Sequence, residues 1–429
     1  MKVEGRKVVV VGMAKSGRAA VDLLIERGAH VTAVDQKPVP DLAVPVLPQS
    51  AISFADATLI VLSPGVPADL PEIQPARDRG VPIVGDLELA SWFLQGEIIG
   101  ITGSNGKTTT TALTGHILKS SGIASQVGGN IGTPPCSMVK TSRPDQWNVL
   151  ELSSFQLETI ETFRAHIGVA LNVTPDHLDR HYTFERYAAA KAQLFENQRP
   201  SDFAVLNADD PTTYGFAQAP KTYWFSATSW ADAYLFEENI LLFADLLMPA
   251  AEIPLRGLHN LENTMAAALA THLAGATHQQ IREAVKTFPG VEHRLEFVRT
   301  LHDVAWYNDS KATNVDATLK AIAAFEGNLW IILGGKDKNT DYTPLAGPIR
   351  QKAHAALLIG AAAEKIAAQL QGAAPLISCG TLEAAITEAR AKAQPCDTVL
   401  LAPACASFDQ FENFEHRGRE FKRLVHSLE

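Results

Sequence analysis

The residues from Thr102 to Thr109 have the types and the order of a phosphate-binding loop, TGSNGKTT. Glycines let backbone N–H groups point inward at phosphate oxygens, and a helix that begins at the loop adds the positive end of its dipole. The Lys107 amine can reach β- and γ-phosphate oxygens, and the Thr108 hydroxyl can ligate Mg2+. The sequence therefore predicts that ATP or GTP binds at Gly103, Ser104, Asn105, Gly106, Lys107, Thr108 and Thr109.

The spacing of this loop departs from the usual G-x-x-x-x-G-K-[ST] pattern. Ile101 stands five positions before Gly106, and glycines stand three and six positions before it. The alternative interpretation is a glycine-rich turn with an incidental lysine. Phosphate binding is favoured because the loop follows a strand-like run and precedes a helix that is expected to reach Ser120 and end at Gly122.

Two further strand ends of the same region carry polar residues. Glu151 lies within an apolar run, and the segment 172–181 (NVTPDHLDRH) follows another. Because such ends gather at one edge of an open parallel sheet, Glu151 and His177 are predicted to ligate or orient Mg2+ near Thr108. The carboxylate is the better ligand because Mg2+ prefers oxygen. The alternative for His177 is a loop histidine that is hydrogen-bonded to the backbone.

The helix predicted over residues 184–195 carries Lys191 on its apolar face. One interpretation is that this long side chain bends so that its amine reaches solvent. The other is a desolvated amine with a depressed pKa. Such an amine can react with carbon dioxide to form a carbamate, which would turn a cation into a carboxylate-like metal ligand.

The first part of the chain carries an imperfect dinucleotide-binding fingerprint. Gly12, Ala14 and Gly17 stand where that fingerprint has three glycines. Asp35 follows about twenty residues later, as the fingerprint requires. Alanine replaces the middle glycine, which normally admits the pyrophosphate, so support for NAD is weak. The pattern indicates a nucleotide-binding relative of the Rossmann fold, with Asp35 and the turn Ser63-Pro64-Gly65 near the ligand.

Three polar loops follow predicted strands in the last third of the chain. They are residues 308–314 (NDSKATN), 334–338 (GGKDK) and 402–407 (APACAS). Their position at strand carboxyl ends predicts that they line one crevice. Lysines and hydroxyls in that crevice would suit a dicarboxylate amino acid. Either Thr313 or Asn314 is the expected N-cap of the helix after the first loop.

Short apolar runs alternate with polar turns and helical patterns along the chain, which is typical of an α/β protein with parallel sheets. A length of 429 residues favours about three domains. We predict a Rossmann-like N-terminal domain over residues 1–94 and a Rossmann-like C-terminal domain over residues 291–429. Between them we predict a P-loop-type ATPase domain with a mostly parallel sheet over residues 95–290. Within it, residues 220–257 look strand-like and irregular.

The composition restricts the kinds of function. The 37 basic and 47 acidic residues give a net charge of −10, which argues against binding to nucleic acid or to an anionic membrane. The four cysteines form no C-x-x-C pair, which fits a reducing compartment. The sequence shows neither a signal peptide nor an apolar stretch of the ~18 residues needed to cross a bilayer. We therefore expect a cytoplasmic protein without membrane insertion, and a monomer.

Taken together, these motifs resemble the Mur ligases of peptidoglycan synthesis across essentially the whole chain. The phosphate loop looks like the general loop of that family. Three further segments resemble the branch that adds D-glutamate, and a signature typical of the branches that add meso-diaminopimelate or lysine is not found. These segments are residues 151–158 (ELSSFQLE), 308–314 (NDSKATN) and 403–411 (PACASFDQF).

The resemblance implies three domains that bind UDP-N-acetylmuramoyl-L-alanine, ATP and D-glutamate, respectively. It also implies that Lys191 is carbamylated, that Glu151 and His177 serve a second Mg2+, and that Thr108 serves the Mg2+ on the ATP phosphates. Lys107, His177, Lys191 and Lys311 would take part in catalysis. For the sugar nucleotide, the resemblance implies contacts of Lys15 and Ser16 with uracil and diphosphate and of Asn130 with the muramoyl-alanine part. For ATP, it implies contacts of Asn263 with adenine and of Arg294 and Asp309 with ribose and phosphates. For D-glutamate, it implies contacts of Thr313, Lys338 (or Lys336), Ser407 and Phe414.

The chemistry expected on this basis is ligation through an acyl phosphate, which the D-glutamate amine attacks with His177 or Asp176 as the base. One alternative is a sibling ligase with another substrate, such as a folate polyglutamate synthetase. A second alternative, from a different class, is a nucleotide-dependent switch that has lost ligation. The short motifs of the last third argue against the sibling ligase, and Glu151, His177 and Lys191 together argue against the switch.

Overall fold

The computed structural model describes residues 2–216 and 221–429, except for the side chain of Asp179. The contacts within the chain divide it into two compact units. One unit comprises Met1–Glu252 and Glu262–Phe288, and the other comprises Ile253–Leu261 and Pro289–Glu429. The described part contains three mostly parallel sheets, two in the first unit and one in the second, so the predicted α/β class is confirmed. The domain boundaries at 94/95 and 290/291 stay predictions.

The first sheet is built from strands that are rich in buried valine, leucine and isoleucine. Its strands and helices are β1 Lys7–Val11, α1 Lys15–Glu26, β2 His30–Asp35, β3 Val46–Pro48, β4 Leu59–Leu62, α2 Gln74–Asp78, β5 Ile83–Gly85 and α3 Asp86–Ser91. All strands are parallel, in the order β3-β2-β1-β4-β5. The strand order reverses at β1, where a Rossmann-like sheet opens a crevice between the loops that follow β1 and β4.

Gly17 explains why α1 can pack closely against the loop that follows β1. A Cβ atom at this position would lie only 1.8 Å from the Gly12 carbonyl oxygen. Only glycine therefore allows the helix to begin directly behind the turn. This is the role of the third glycine in the fingerprint, and it is kept although Ala14 replaces the second.

The second sheet has nine strands in the order β14-β13-β12-β11-β10-β9-β6-β8-β7. Its first elements are β6 Glu97–Thr102, α4 Lys107–Ser120, β7 Ser125–Gly129, α5 Pro135–Met138, β8 Trp147–Glu151, α6 Ser154–Leu157, β9 Ile167–Ala170, α7 Leu178–His181 and α8 Phe184–Ala192. Its later elements are β10 Phe203–Asn207, α9 Pro211–Tyr214, β11 Lys221–Ser226, β12 Ala233–Phe236, β13 Asn239–Leu242, β14 Asp245–Pro249, α10 Leu258–Leu273 and α11 His278–Lys286. The first residues of α10 belong to the second unit.

The strands of this sheet are parallel except at one end. There β12, β13 and β14 pair antiparallel. The segment predicted to be strand-like thus forms the last strands of the sheet, and its irregular appearance reflects short hairpins instead of βαβ units. At the centre, β6 lies between β8 and β9, so the phosphate loop after β6 has a strand-end loop on either side.

The third sheet forms the core of the second unit, in the order β15-β16-β20-β17-β18-β19. Its elements are β15 Glu296–Leu301, β16 Val304–Asn308, α12 Val315–Ala323, β17 Leu329–Gly334, α13 Ala346–Lys352, β18 Ala353–Ile359, α14 Ala363–Gln369, β19 Leu376–Gly380, α15 Leu382–Lys392, β20 Thr398–Leu401 and α16 Phe414–Ser427. Only β15 pairs antiparallel, with β16. The sequence did not predict β15.

A buried carboxylate ties the first two sheets together within the first unit. Glu88, on α3, accepts backbone hydrogen bonds from Glu161 (2.9 Å), Thr162 (3.0 Å) and Phe163 (2.8 Å). Trp92 Nε1 donates to the same carboxylate at 2.8 Å. Burial alone would raise the pKa of Glu88, but these hydrogen bonds together with that of the Thr162 hydroxyl hold it below its ordinary value.

Among the described residues, no helix is both long and apolar enough to span a membrane.

We predict that Glu88→Gln lowers the free energy of unfolding by about 3 kcal/mol at pH 7, because an amide replaces the charged acceptor of several buried donors. Since the folded pKa is depressed, this stabilisation is fully present above the unfolded pKa of about 4.3 and is lost as the pH falls through the folded pKa. Urea unfolding of both proteins at several pH values measures it, with exposed Glu185→Gln as the control. A variant as stable as the wild type at pH 7 would contradict the prediction.

Candidate active site

The phosphate loop lies at the centre of the second sheet and leads directly into α4. Gly106 is the residue before the helix and has a φ of 87°. A Cβ atom there would lie 2.3 Å from Asn263 Oδ1, so the loop requires glycine both for its conformation and for its space. Lys107 Nζ donates to the carbonyl oxygens of Gly103 (2.8 Å) and Ser104 (2.9 Å), which holds its amine over the loop. This cradle at a helix N-terminus fits a phosphate group.

The other predicted nucleotide contacts differ in exposure. Thr108 is partly exposed, whereas Thr109 is buried on the inner side of α4. Asn263 lies on α10, is buried, and accepts a hydrogen bond from the Thr110 hydroxyl at 3.2 Å. The structure thus places Asn263 directly against the phosphate loop. The short distance from Asn263 Oδ1 to a Cβ atom at position 106 shows the same closeness.

Asn172, which the sequence analysis did not select, holds the phosphate loop from the end of the neighbouring strand. Its Oδ1 accepts from the Asn105 backbone N–H at 2.9 Å, and its Nδ2 donates to the Asn105 carbonyl at 3.1 Å. Its own carbonyl accepts from Ser104 N at 2.8 Å. The Ser104 hydroxyl in turn donates to the Thr174 carbonyl at 2.9 Å. The loop is therefore fixed by the segment that carries His177.

Lys191 lies inside the protein beside the same loop. Its side chain is 1% exposed, so the interpretation that its amine bends out to solvent is wrong. Nζ donates to the Gly103 carbonyl at 2.8 Å and lies 4.6 Å from the centre of the Tyr187 ring. Burial and the nearby charge of Lys107 hold the pKa of Lys191 well below its ordinary value, with Asp176 opposing them.

Glu151 ends β8, directly beside β6. Its side chain is buried, and Asn130 Nδ2 donates to Oε1 at 3.0 Å. Asn130 follows β7, and its backbone N–H donates to the Glu151 carbonyl at 2.8 Å. A buried carboxylate with a neutral donor attracts a cation strongly.

His177 lies beyond β9 and precedes α7. Its ring is about half exposed and contacts the ring of Phe155 edge-on, with 4.9 Å between the centres. Its φ of 52° is uncommon for a residue other than glycine and indicates a constrained backbone. Asp176 is adjacent, with its Oδ2 3.6 Å from His177 Nε2.

These groups suit Mg2+ better than a softer metal ion. No three His, Cys, Asp or Glu side chains cluster as a metal site in the described ranges 2–216 and 221–429. What the strand ends offer is the carboxylate of Glu151, the hydroxyl of Thr108 and the imidazole of His177, which is an oxygen-rich set that fits Mg2+.

A second set of predicted residues lines one cavity of about 620 Å3 in the first unit. We call it the first-sheet cavity. Its walls are the loops that follow β1 and β4, together with Asp35 at the end of β2 and polar groups from the second sheet. The predicted substrate residues that line it are Lys15, Ser16, Asp35, Ser63, Gly65 and Asn130, and Val66, Pro67 and Gln156 line it as well.

Several of these side chains also order the cavity's own loops. Asp35 accepts backbone hydrogen bonds from Met13 (2.7 Å) and Lys37 (2.9 Å). The Ser63 hydroxyl donates to the Gly12 carbonyl at 2.7 Å, which joins the two loops across the switch point. Lys15 Nζ donates to the Gly132 carbonyl at 2.5 Å. The cavity is therefore bounded by groups from both sheets of the unit.

In the second unit, the three polar loops meet at the ends of adjacent strands, as predicted. The Gly334 N–H donates to the Pro403 carbonyl at 2.9 Å, and the Ala404 N–H donates to the Ala312 carbonyl at 2.9 Å. Asn314 is the N-cap of α12, and its side chain accepts from Ala317 N at 2.8 Å. The alternative N-cap, Thr313, is partly exposed in the same loop.

Of the predicted nucleotide and amino-acid contacts of this unit, Arg294 lies just before β15, and the others lie on these loops and on α16. Burial raises the pKa of Asp309 to about 7, against the lowering effect of the Arg294 charge. Lys311 Nζ lies 5.6 Å from the centre of the Phe414 ring. Ser407 is buried.

Lys336 and Lys338 are both exposed, so the structure does not choose between them. The loop that carries them is held through Asp337, which accepts from Tyr342 Oη at 2.9 Å and from Lys365 Nζ at 2.9 Å.

Arg417 joins two of the loops and was also missed. This buried side chain lies on α16. Its Nε donates to the Ser310 hydroxyl at 2.9 Å, its Nη2 to the Ser310 carbonyl at 2.8 Å, and its Nη1 to the Cys405 carbonyl at 3.2 Å. Ser310 lies 107 residues away in sequence, so no local pattern identifies Arg417.

Three family models match the chain. They are a MurD-like N-terminal domain of Mur ligases over residues 6–85, the Mur ligase middle domain over residues 101–271, and the Mur ligase glutamate ligase domain over residues 293–405. Together with the relatives described next, they show that the chain belongs to the Mur ligase family.

Among its relatives are proteins named UDP-N-acetylmuramoylalanine–D-glutamate ligase. The one from Solibacter usitatus is 57% identical over 439 residues, which cover 100% of this chain and 99% of the relative. The one from Acidobacterium capsulatum is 50% identical, over 99% of this chain and 97% of the relative.

Solved structures share the fold at low sequence identity. A UDP-N-acetylmuramate-alanine ligase, MurC, from Thermotoga maritima has a TM-score of 0.64 and 20% identity, over 98% of this chain and 99% of that chain. A MurF ligase from Thermotoga maritima, solved in complex with ADP, has a TM-score of 0.64 and 17% identity, over 99% of this chain and 96% of that chain.

We predict that Asn172→Ala weakens ATP binding about tenfold, because the loss of paired hydrogen bonds to Asn105 costs about 1.4 kcal/mol. Titration with a fluorescent ATP analogue measures the affinity, and the thermal midpoint reports the stability. Asn197→Ala is the matched control, since Asn197 Nδ2 also bonds backbone carbonyls (Glu161 and Phe163, both 3.0 Å) but not the phosphate loop. Equal ATP affinity of Asn172→Ala and the wild type would refute the prediction.

Proposed function

We propose that the chain is an ATP-dependent ligase that joins D-glutamate to UDP-N-acetylmuramoyl-L-alanine in peptidoglycan precursor synthesis. The observation that carries this proposal is the full-length similarity, at 50% and 57% identity, to relatives named for that reaction. The geometry supports it, because the first-sheet cavity, the phosphate loop and the loops of the third sheet offer three sites for three substrates. The cytoplasmic location and the monomeric state remain predictions.

In the first step, the terminal carboxylate of the sugar substrate attacks the γ-phosphorus of ATP. This attack forms an acyl phosphate and releases ADP. Lys107 stabilises charge on the transferred phosphoryl group, with its amine held by two loop carbonyls 2.8 and 2.9 Å away. The rigid loop contributes backbone N–H groups that need no reorganisation.

Mg2+ would be held by Thr108 on the nucleotide side and by Glu151 and His177 at the second position. When bound, it would offset negative charge on the phosphates and polarise the transferred group. Glu151 keeps its orientation through Asn130, which also lines the first-sheet cavity. One asparagine thus touches both the proposed metal ligand and the proposed substrate site.

After carbamylation, Lys191 would supply a further oxygen ligand at the second position. Its neutral amine attacks carbon dioxide, forms an N–C bond and releases one proton, which leaves a carbamate anion. Burial supports this step, because desolvation lowers the pKa of the amine and so supplies the neutral form. The resulting carboxylate-like group matches the preference of Mg2+ for oxygen.

In the second step, the D-glutamate amine attacks the acyl carbon, phosphate leaves and the amide forms. Asp176, or His177 when it is not bound to Mg2+, accepts the proton that the amine loses. Thr313, Ser407, Phe414 and Lys338 or Lys336 would hold the amino acid, and Lys311 would support the reacting phosphate. Asn263, Arg294 and Asp309 would contact the adenosine and phosphate groups of ATP.

Phosphate release with UDP-N-acetylmuramoyl-L-alanine tests the proposed function. We expect release with D-glutamate and little with L-glutamate, L-lysine or meso-diaminopimelate. Preference for another amino acid would favour a sibling ligase. ATP hydrolysis without any amide product, detected by mass spectrometry, would favour the nucleotide-dependent switch.

The role of Lys191 gives a second prediction. Lys191→Ala should lower kcat about 100-fold or more, because a charged group beside the transferred phosphoryl is lost. The wild type should lose activity in buffers stripped of carbon dioxide and regain it when bicarbonate is added. Lys119→Ala, which changes an exposed lysine of α4, is the control. Full activity of Lys191→Ala would exclude the carbamate.

A further inference from the structure

One side chain joins the wall of the first-sheet cavity to the segment that carries His177. Arg180, on α7, donates from Nη2 to the Val66 carbonyl at 3.0 Å. Val66 belongs to the loop after β4 that lines the cavity. Arg180 therefore contacts that loop directly, although it lies more than one hundred residues away in sequence.

The guanidinium group of Arg180 is also fixed from the second sheet. It forms a hydrogen-bonded ion pair with Glu158, and both side chains are mostly buried. Burial raises the pKa of Glu158 in spite of the Arg180 charge. Glu158 follows directly after α6, which carries Gln156 in the cavity wall.

A ring connects Arg180 to His177. The guanidinium carbon lies 5.3 Å from the centre of the Phe155 ring, and His177 meets the same ring edge-on at 4.9 Å. His181 stacks on Phe155 at 5.4 Å, and its Nε2 is 2.9 Å from the Ser154 hydroxyl. The Phe155 ring is thus held between Arg180, His181 and His177, so a shift of the guanidinium displaces the surface against which His177 packs.

A purely structural ion pair would not need this arrangement. An Arg–Glu pair alone would fasten α7 to α6, whereas Arg180 has a third partner that belongs to the first sheet. Nη2 donates to both the Val66 carbonyl and the Glu158 carboxylate, while the guanidinium carbon lies over the Phe155 ring. A lysine ammonium has no planar group to stack on Phe155, so it could not make all three contacts in the same geometry.

We propose that Arg180 is a positioning residue that couples binding of the sugar nucleotide in the first-sheet cavity to the orientation of His177. A ligand that orders the loop after β4 fixes the Val66 carbonyl, which fixes Arg180 over Phe155 and sets the surface beside His177. The inference rests on the proposed function, which assigns the cavity to the sugar nucleotide and His177 to the reaction.

The experiment uses the full-length chain with Arg180→Met, which keeps the packing on Phe155 but removes the donors. Arg186→Met is the matched control. Arg186 and Arg180 line a second cavity together, beside the first unit's helices α7 and α8. Unlike Arg180, Arg186 is exposed and lies over the ring of Tyr182. Arg180→Lys tests rescue by charge alone, and Glu158→Gln provides a milder variant if Arg180→Met does not fold.

We expect Arg180→Met to raise the dissociation constant of UDP-N-acetylmuramoyl-L-alanine about tenfold in calorimetric titration, and to lower kcat. The dissociation constant of ATP should not change. Arg180→Lys should recover only part of each loss. In a His177→Asn background, Arg180→Met should still weaken sugar-nucleotide binding but should lower kcat no further, since its effect on turnover acts through His177.

The outcomes separate this inference from the proposed function. Wild-type protein that forms no amide product would overturn the proposed function. An active wild type whose Arg180→Met variant matches Arg186→Met in affinity and kcat would overturn only the coupling. Equal weakening of ATP and sugar-nucleotide binding, or an undiminished kcat effect in the His177→Asn background, would also overturn it, because Arg180 would then act on general stability.

Discussion

Parallel strands deliver all the loops that follow them to one edge of their sheet, and this constraint governs the whole arrangement. In the second sheet, β6 lies between β8 and β9, so the phosphate loop, Glu151 and the segment 172–177 have to be neighbours. The same rule gives the first-sheet cavity at the switch point between β1 and β4. It also brings together the three polar loops of the third sheet. Residues far apart in sequence become a site because of strand order.

At the phosphate loop, the chemistry depends on which of two lysine amines is buried away from water. Lys107 is partly exposed and bonded to loop carbonyls, whereas Lys191 is almost fully buried beside the same Gly103 carbonyl. Two amines so close to one another cannot both carry a charge at low cost, and the buried one loses its proton more readily. The same loop thus holds one amine that is suited to neutralise phosphate and one that is suited to react with an electrophile.

Much of the fold and part of the site could be predicted from the sequence, because the signals are local. The strand, loop and helix around Lys107 are adjacent in sequence, and the apolar face of α8 identified Lys191 as unusual. Asn172, Glu88, Arg180 and Arg417 could not be found in this way. Each bonds backbone groups of a distant segment, and a polar residue in a loop looks the same in sequence whether its partner is water or a buried carbonyl. The strand β15 was missed because its burial is incomplete and its pairing is antiparallel, unlike the rest of its sheet.

The contact between Gly106 and Asn263 has a genetic consequence. An alanine at 106 would meet Asn263 Oδ1 at 2.3 Å and would also be strained at a φ of 87°. A suppressor mutation that shortens residue 263 would relieve the collision but not the strain, and it would remove the hydrogen bond to Thr110. No single compensating substitution can therefore remove both the collision and the strain. Positions 106 and 263 are accordingly expected to change rarely in evolution, and drug resistance through a substitution at either position is expected to reduce the fitness of the cell.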